Sequence, residues 1–349
     1  MKPTVYITGG SKNPSGGTKV MNELTNLFIE KGFESYAVTS DDSGPASFLE
    51  NPAPTLSINE YENGLKEDDI TIDFWPTKRF FNISSRKKNK RRVFWQHGAS
   101  IPIGNEFAGE DVFKKGNPYT HHWNVSSACA DYIEYAYDLK NIDIVHPFFD
   151  TDIMKKFVAE KDKHSREGFL ILARRGQKYI PKIIKKFGTT QKITVMKPPF
   201  HEKDFFAQLL THEFYISVDD GIHNVILKNK IKTEIKKIVN KDFRIKENSR
   251  NNWIIPKGNL LGFPMPPVEA ALLGTVVIGF AMGGGLEWMN DKNCFLAKDK
   301  NEKSLFENIE KAIQTPLPDL HITKEQSFKD IQKFTKTHTW DQITNSLSL

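Results

Sequence analysis

Three stretches of this 349-residue chain place glycine, proline and charged side chains where an anion could be held. Asn13-Pro14-Ser15-Gly16-Gly17-Thr18 follows an apolar run and opens a helical pattern. Glycine lets the backbone approach a ligand, and the unpaired N–H groups of a helix N-terminus attract anions. A diphosphate suits such a turn, and a plain strand-to-helix turn has the same look. The spacing is not Gly-x-Gly-x-x-Gly, and no acidic residue ends the second strand at Thr39, which disfavours a dinucleotide-binding dehydrogenase. Ala173-Arg174-Arg175-Gly176-Gln177-Lys178 follows another apolar run. Arg174 and Lys178, four residues apart at a strand end, can converge on one diphosphate, arginine through its fork and lysine as a point charge. An exposed basic turn is the simpler alternative.

The third stretch is the most informative. Residues 261–274 read Leu-Gly-Phe-Pro-Met-Pro-Pro-Val-Glu-Ala-Ala-Leu-Leu-Gly, an apolar strand pattern follows at 276–280, and Gly283-Gly284-Gly285-Leu286-Glu287 comes next. A Gly/Pro loop here is expected to present the amides of Gly262, Phe263, Pro264 and Met265 at a helix start. Glu269 is expected on that helix's first turn, and a second glycine loop, Gly283 and Gly284 included, is expected nearby. Backbone amides would hold a phosphate while the carboxylate takes sugar hydroxyls.

These residues need a scaffold that brings distant loops together, and the periodicity supplies one. Short apolar runs at 4–8, 35–39, 69–74, 93–96, 123–126 and 143–146 read as strands. The segment 18–31 carries Val20, Met21, Leu24, Leu27 and Phe28 at helical spacing and stops at Gly32. The second half repeats the logic, with strands at 168–173, 192–196, 213–218 and 276–280, and helices around Ile180–Phe187, 270–273 and 305–313. Strands separated by helix-length segments predict an α/β fold with parallel sheets. Length predicts two domains. We place the first at 1–155, the second at 160–329, and a C-terminal helix at about 330–349 that returns to the first. Residues 224–250 break the rhythm as a long, basic, helical insertion.

The net charge of +6 favours anionic partners without choosing among them. The basic segments 86–92 and 228–250 read as solvated surfaces or as peripheral contacts with an anionic acceptor or lipid headgroups. Aromatic residues sit in apolar runs rather than among the basic ones, so no nucleic-acid partner is expected. The two cysteines, Cys129 and Cys294, lack metal-type spacing and fit a reducing compartment. No apolar stretch approaches the roughly 20 residues of a membrane span, so a cytoplasmic location, peripheral at the inner membrane face, is expected.

In this order, the landmarks resemble the GT-B glycosyltransferases, and within them the retaining family 4. Members carry Glu-Gly-Phe-Gly-Leu-Pro-x-x-Glu-Ala, then Gly-Thr-Pro-Val-Val, then a glycine loop ending in Glu. The Gly16-Gly17 loop, Val125-Ser126-Ser127, Pro147-Phe148-Phe149-Asp150-Thr151-Asp152 and the Trp340 region match further landmarks. The resemblance implies two Rossmann-like domains facing across a cleft and a nucleotide-sugar donor. It also implies a glycan or glycolipid acceptor, transfer with retention, and no metal or other cofactor. It implies that Arg174 and Lys178 bind the diphosphate and that Glu269 binds the ribose hydroxyls. His97, in Trp95-Gln96-His97-Gly98, would stand near the donor sugar as a neutral imidazole; a structural loop histidine is the alternative. Base contacts are expected near Lys197-Pro198-Pro199.

Leu261 departs from the pattern, standing where the family has a sugar-contacting glutamate; Asp219 or Asp220 could substitute for it, an ordinary loop acid being the simpler reading of each. That departure keeps open a catalytically silent GT-B protein that binds glycans or scaffolds enzymes; an epimerase-like GT-B enzyme is a further reading.

Overall fold

A computed structural model describes residues 2–10, 15–39, 44–74, 77–87, 89–97, 111–112, 116–137, 139–173, 177–197, 199–218, 262–281, 283–298 and 301–349. The expected insertion at 224–250, Arg174, Leu261, Asp219 and Asp220 lie outside these residues.

The first unit runs β1 (Val5–Gly10), α1 (Gly16–Glu30), β2 (Ser35–Thr39), β3 (Thr55–Leu56), α2 (Ile58–Gly64), β4 (Ile70–Asp73), α3 (Lys78–Arg86), β5 (Arg91–Gln96), β6 (His121–Asn124), α4 (Ser127–Tyr137), β7 (Ile142–Ile144) and α5 (Asp152–Val158). The second runs β8 (Phe169–Leu172), α6 (Ile180–Phe187), β9 (Ile193–Met196), α7 (Glu202–Thr211), β10 (Phe214–Ser217), α8 (Met265–Leu272), β11 (Val276–Phe280), a 3-10 turn (Gly283–Glu287), β12 (Phe295–Ala297) and α9 (Glu302–Gln314). Two last helices, α10 (Leu317–Ile331) and α11 (Lys336–Leu347), follow.

The strands form two parallel sheets, ordered β3-β2-β1-β4-β5-β6-β7 and β12-β11-β10-β8-β9. The fold class read from the sequence is therefore the observed one. In such sheets ligands bind outside the carboxyl ends of the strands where the order reverses, here between β1 and β4 and between β8 and β10. The strands are apolar on both faces because helices cover both. In β1, Val5 and Ile7 enter the main core while Tyr6 packs with Val38, Tyr61 and Phe80 on the other side.

Local signals set the helix ends. Ser15 caps α1 by accepting from the Thr18 amide at 3.0 Å, and Gly32, at φ +78°, turns the chain out of it. Ser57 and Glu60 form a capping box on α2. The polar stretch at 164–167 carries an anchor: Arg166 donates to the carbonyls of Leu209 and Leu273 at 3.0 and 2.5 Å, stapling the start of the second unit to α7 and α8. The main core is continuous between the units, joining Val5 and Leu24 with Leu170, Met265 and Val268. The tail α11 packs on the first unit: Trp340 meets Phe28 and Phe33 edge-on, and Trp123 Nε1 donates to Ser346 at 2.7 Å.

The short strands β3 and β12 carry no run long enough to register as strands from sequence. The basic run 86–92 is not one loop; it spans the end of α3 and the start of β5. Within it Arg86 pairs with Glu62, Lys90 pairs with Asp68 at 2.8 Å and Glu67 at 3.7 Å, and Arg92 donates to the Ser84 and Lys87 carbonyls. Among the described residues no helix is long and apolar enough to cross a membrane. Cys129 and Cys294 are both buried and are not joined in a disulfide.

Candidate functional site

The glycine turn at α1, the Gly262–Pro264 loop and the Gly283–Gly285 turn meet at the junction of the two units. Gly284 donates its amide to the Gly262 carbonyl at 3.2 Å. Gly284 must be glycine: a Cβ there would stand 2.4 Å from Phe263 Cδ2. From the opposite unit, a Cβ on Gly16 would touch Met265 Sδ at 3.4 Å, so the start of α1 faces the start of α8. Gly17 follows within the first turn of α1, and Gly283 opens the second turn at φ +46°.

Two expectations about this loop need correction. Glu269 is the fifth residue of α8 and lies on its second turn, because the helix starts at Met265 with Pro264 as its cap. The supply of amides is also smaller than a bare Gly/Pro loop suggests. Pro264, Pro266 and Pro267 have no N–H, so the donors at this helix start are Gly262, Phe263 and Met265.

Glu269 is buried, and what it meets was not legible in the sequence. Lys19 of α1 reaches across from the first unit and donates to Glu269 Oε1 at 2.6 Å, while also pairing with Glu202 of α7. Lys19 Nζ also lies 5.0 Å from the Phe206 ring centroid. Burial pushes the Glu269 carboxyl up; Lys19 pulls it back, Glu202 pushes again, and the net shift is upward. Burial disfavours the Lys19 charge, yet Glu269, Glu202 and Glu23 together raise it, so Lys19 stays protonated. Glu23, on α1 beside Lys19, is pushed up to about 7, chiefly by burial, with Lys19 opposing and Glu202 reinforcing.

A second crossing lies at Glu287, the last residue of the glycine turn. Its Oε1 accepts from the Ser127 amide at 2.6 Å and the Ser127 hydroxyl at 2.9 Å, at the first turn of α4 in the other unit. A carboxylate there complements the helix dipole. Its Oε2 accepts a hydrogen bond from His146 Nε2 at 2.7 Å. The tautomer is settled by Gln342 of α11. Its Oε1 accepts from the His146 amide, so its Nε2 donates to His146 Nδ1. Burial raises the Glu287 carboxyl, but His146 and the Ser127 donors outweigh it and hold the carboxyl below its usual value.

His97 sits at the carboxyl end of β5, with its ring 4.2 Å from that of Phe74 and 5.0 Å from that of Trp95. Burial alone lowers it to about 3, which makes it a neutral imidazole at ordinary pH. Its Nε2 is buried and has no hydrogen-bond partner among the described residues. On the neighbouring strand, Asp73 ends β4 as a buried carboxyl group accepting from Thr8, from Tyr119 at 2.7 Å and from Ser84 at 3.3 Å. That network fixes the ends of β1 and β4 at the strand-order reversal. In the second unit, Lys178 lies exposed in the turn before α6, 4.8 Å from the Tyr179 ring centroid. Its partner in the sequence reading, Arg174, is outside the described residues. Among the described residues no group of three or more His, Cys, Asp or Glu side chains is arranged to hold a metal.

No family model matches the chain, and no curated protein matches it. Solved structures do. HepE of Anabaena, in complex with UDP and glucose, is 11% identical, with 99% of each chain covered and a TM-score of 0.62. A mutant of TarM from S. aureus, solved with fondaparinux, α-GlcNAc-glycerol and UDP, is 9% identical over 100% of both chains, at a TM-score of 0.64. The pneumococcal O-GlcNAc transferase GtfA, solved with UDP and GlcNAc, is 10% identical over 99% of each chain, at 0.63. The whole chain thus has the two-sheet GT-B fold of these glycosyltransferase structures.

Proposed function

We propose that the chain is a glycosyltransferase that moves a sugar from a nucleotide-sugar donor to a glycan or glycolipid acceptor, with retention of configuration. The observation that carries the reading is the meeting of the Gly262–Pro264 loop, the Gly283–Gly285 turn and Glu269 under the start of α1. A nucleotide's ribose would hydrogen-bond to the Glu269 carboxylate. The diphosphate would lie against the amides of Gly262, Phe263 and Met265 and against Lys178, with Arg174 as the partner that the sequence assigns to it. Solved neighbours of the same fold hold UDP, two of them together with a simple sugar.

The chemistry asked of the protein is electrostatic. Negative charge grows on the leaving diphosphate as the glycosidic bond breaks, and fixed cations and amides stabilise it without reorganising. Arg174 and Lys178 supply that charge, and we propose that no metal is needed. His97, neutral and with no Nε2 partner among the described residues, would accept from or donate to a hydroxyl of the donor sugar. The acceptor hydroxyl attacks from the face the leaving group departs, and closure of the two units keeps water away. We place the enzyme in the cytoplasm, in surface polysaccharide or glycolipid synthesis, with peripheral membrane contact through the basic segments 86–92 and 228–250.

The test is release of nucleoside diphosphate from a panel of UDP-, GDP-, ADP-, CMP- and dTDP-sugars in the presence of chelator and pooled glycan or glycolipid acceptors. The anomeric configuration of the product is then read by NMR. Acceptor-dependent release with a retained anomer supports the reading. Donor turnover without an acceptor points to the epimerase-like class, and binding without turnover points to a silent GT-B protein.

A further inference from the structure

Glu269 would be a poor ribose ligand if left to its surroundings. It is buried among apolar residues, Glu202 stands close by on α7, and Glu23 stands beyond it on α1. Burial and neighbouring negative charge both favour the protonated acid, which has lost part of its capacity to accept hydrogen bonds. The cation that pairs with Glu269 and Glu202 is Lys19, and it belongs to the other unit. Its ammonium is itself buried, bonds Glu269 through Oε1 and leaves Oε2 with acceptor capacity. Lys19 sits one turn into the helix whose first residue, Gly16, packs against Met265 at the start of α8. The same rigid helix therefore sets both the glycine turn and the ammonium.

We infer that Lys19 is a positioning residue of the donor site: carried on the first unit, it supplies the charge that keeps the Glu269 carboxylate of the second unit ionised and turned toward the nucleotide's ribose. The inference rests on Glu269 being the ribose ligand. It makes the donor site complete only when the two units are closed, because an open cleft removes the ammonium from Glu269. It also assigns roles to the groups around the pair. Glu202 competes with Glu269 for Lys19 and repels it. Glu23 acts on Lys19 along α1, and is itself influenced by Asp152 of α5 and Lys336 of α11.

The direction follows from the charges. Removing Lys19 moves the titration of Glu269 to higher pH, and removing the charge of Glu202 moves it to lower pH. The test is calorimetric titration of the full chain with UDP, GDP and ADP, each beside its 2′-deoxy counterpart, between about pH 5 and about pH 9. The ratio of ribo to 2′-deoxy affinity isolates the ribose contact, because base and diphosphate are the same in both. In wild type the preference for ribose holds at neutral pH and falls at acid pH. In K19M it is about tenfold weaker at neutral pH and recovers as pH rises. K19R restores the wild-type profile, and E202Q extends the preference to lower pH. If K19M does not fold, the E202Q displacement alone decides. Equal loss of ribo and deoxy affinity in K19M, or an unmoved profile in E202Q, overturns the inference while leaving the donor-site reading intact. Wild type binding none of the nucleotides, or binding them without ribose preference, overturns that reading, and the inference falls with it.

Discussion

His146 Nε2 donates a hydrogen bond to Glu287 Oε2 at 2.7 Å, and the other oxygen of Glu287 accepts from Ser127 at the start of α4. One carboxylate on the glycine turn of the second unit is thereby fastened to two elements of the first. The turn whose backbone meets Gly262 is also the turn that holds the cleft's two sides in register.

Replacing Glu287 with glutamine should cost about 1.5–3 kcal/mol in chemical denaturation, the range for hydrogen bonds to a charged group. The pH dependence has a definite sign. The folded structure holds this carboxyl below its unfolded value of about 4.3, so its contribution is fully present above that value and lost as pH falls through the folded one. The difference between wild type and E287Q should therefore shrink on acidification. A difference that stays constant from neutral to strongly acid pH would contradict the account.

Glu23 has the opposite sign. Its folded value of about 7 lies above the unfolded one, so the folded state favours the protonated acid and stability is lost as pH rises from about 4.3 through about 7. Because the carboxyl is half-buried and partly screened by solvent, an effect of roughly 1–2 kcal/mol is expected. E23Q should flatten that limb of the stability profile; a profile that keeps its slope in E23Q would assign the effect elsewhere.

Gly284→Ala forces a methyl into Phe263, whose ring is packed 4.7 Å from that of Phe334 and 5.8 Å from that of Phe149. Overpacking of this kind costs about 1–3 kcal/mol. Because the clash pushes apart the two loops of the proposed phosphate site, nucleotide affinity should fall by about tenfold or more, equivalent to about 1.4 kcal/mol. Thermal denaturation and nucleotide titration on the same variant separate the two effects. Lost stability with unchanged affinity would remove the loops from the site.

The alternation of strands and helices was legible because the longer strands are apolar runs closed by turn signals and the main helices carry a 3.6-residue stripe. The glycine and proline loops were legible as candidate ligand loops because residues that expose backbone gather at strand ends, a feature that plain strand-to-helix turns share. What the sequence hid was pairing over distance. Lys19 and Glu269 are 250 positions apart, and a lysine at the edge of an apolar helical stripe reads as a solvated neighbour of Glu23, four residues on. Glu287 stood at the end of a recognised motif, yet its partners Ser127 and His146 are set by how the units meet. Three prolines blur where α8 begins, so the sequence places Glu269 one turn too early.

The central claim is that Glu269 belongs to a nucleotide-sugar site, and thermal denaturation against UDP-, GDP-, ADP-, CMP- and dTDP-sugars in chelator, with wild type and Glu269→Ala, tests it most directly. One nucleotide class at about 100 times its dissociation constant should stabilise wild type by roughly 2.7 kcal/mol, and the stabilisation should be lost in the variant. Stabilisation of wild type and variant alike by the same nucleotide, or of neither by any, would contradict the account.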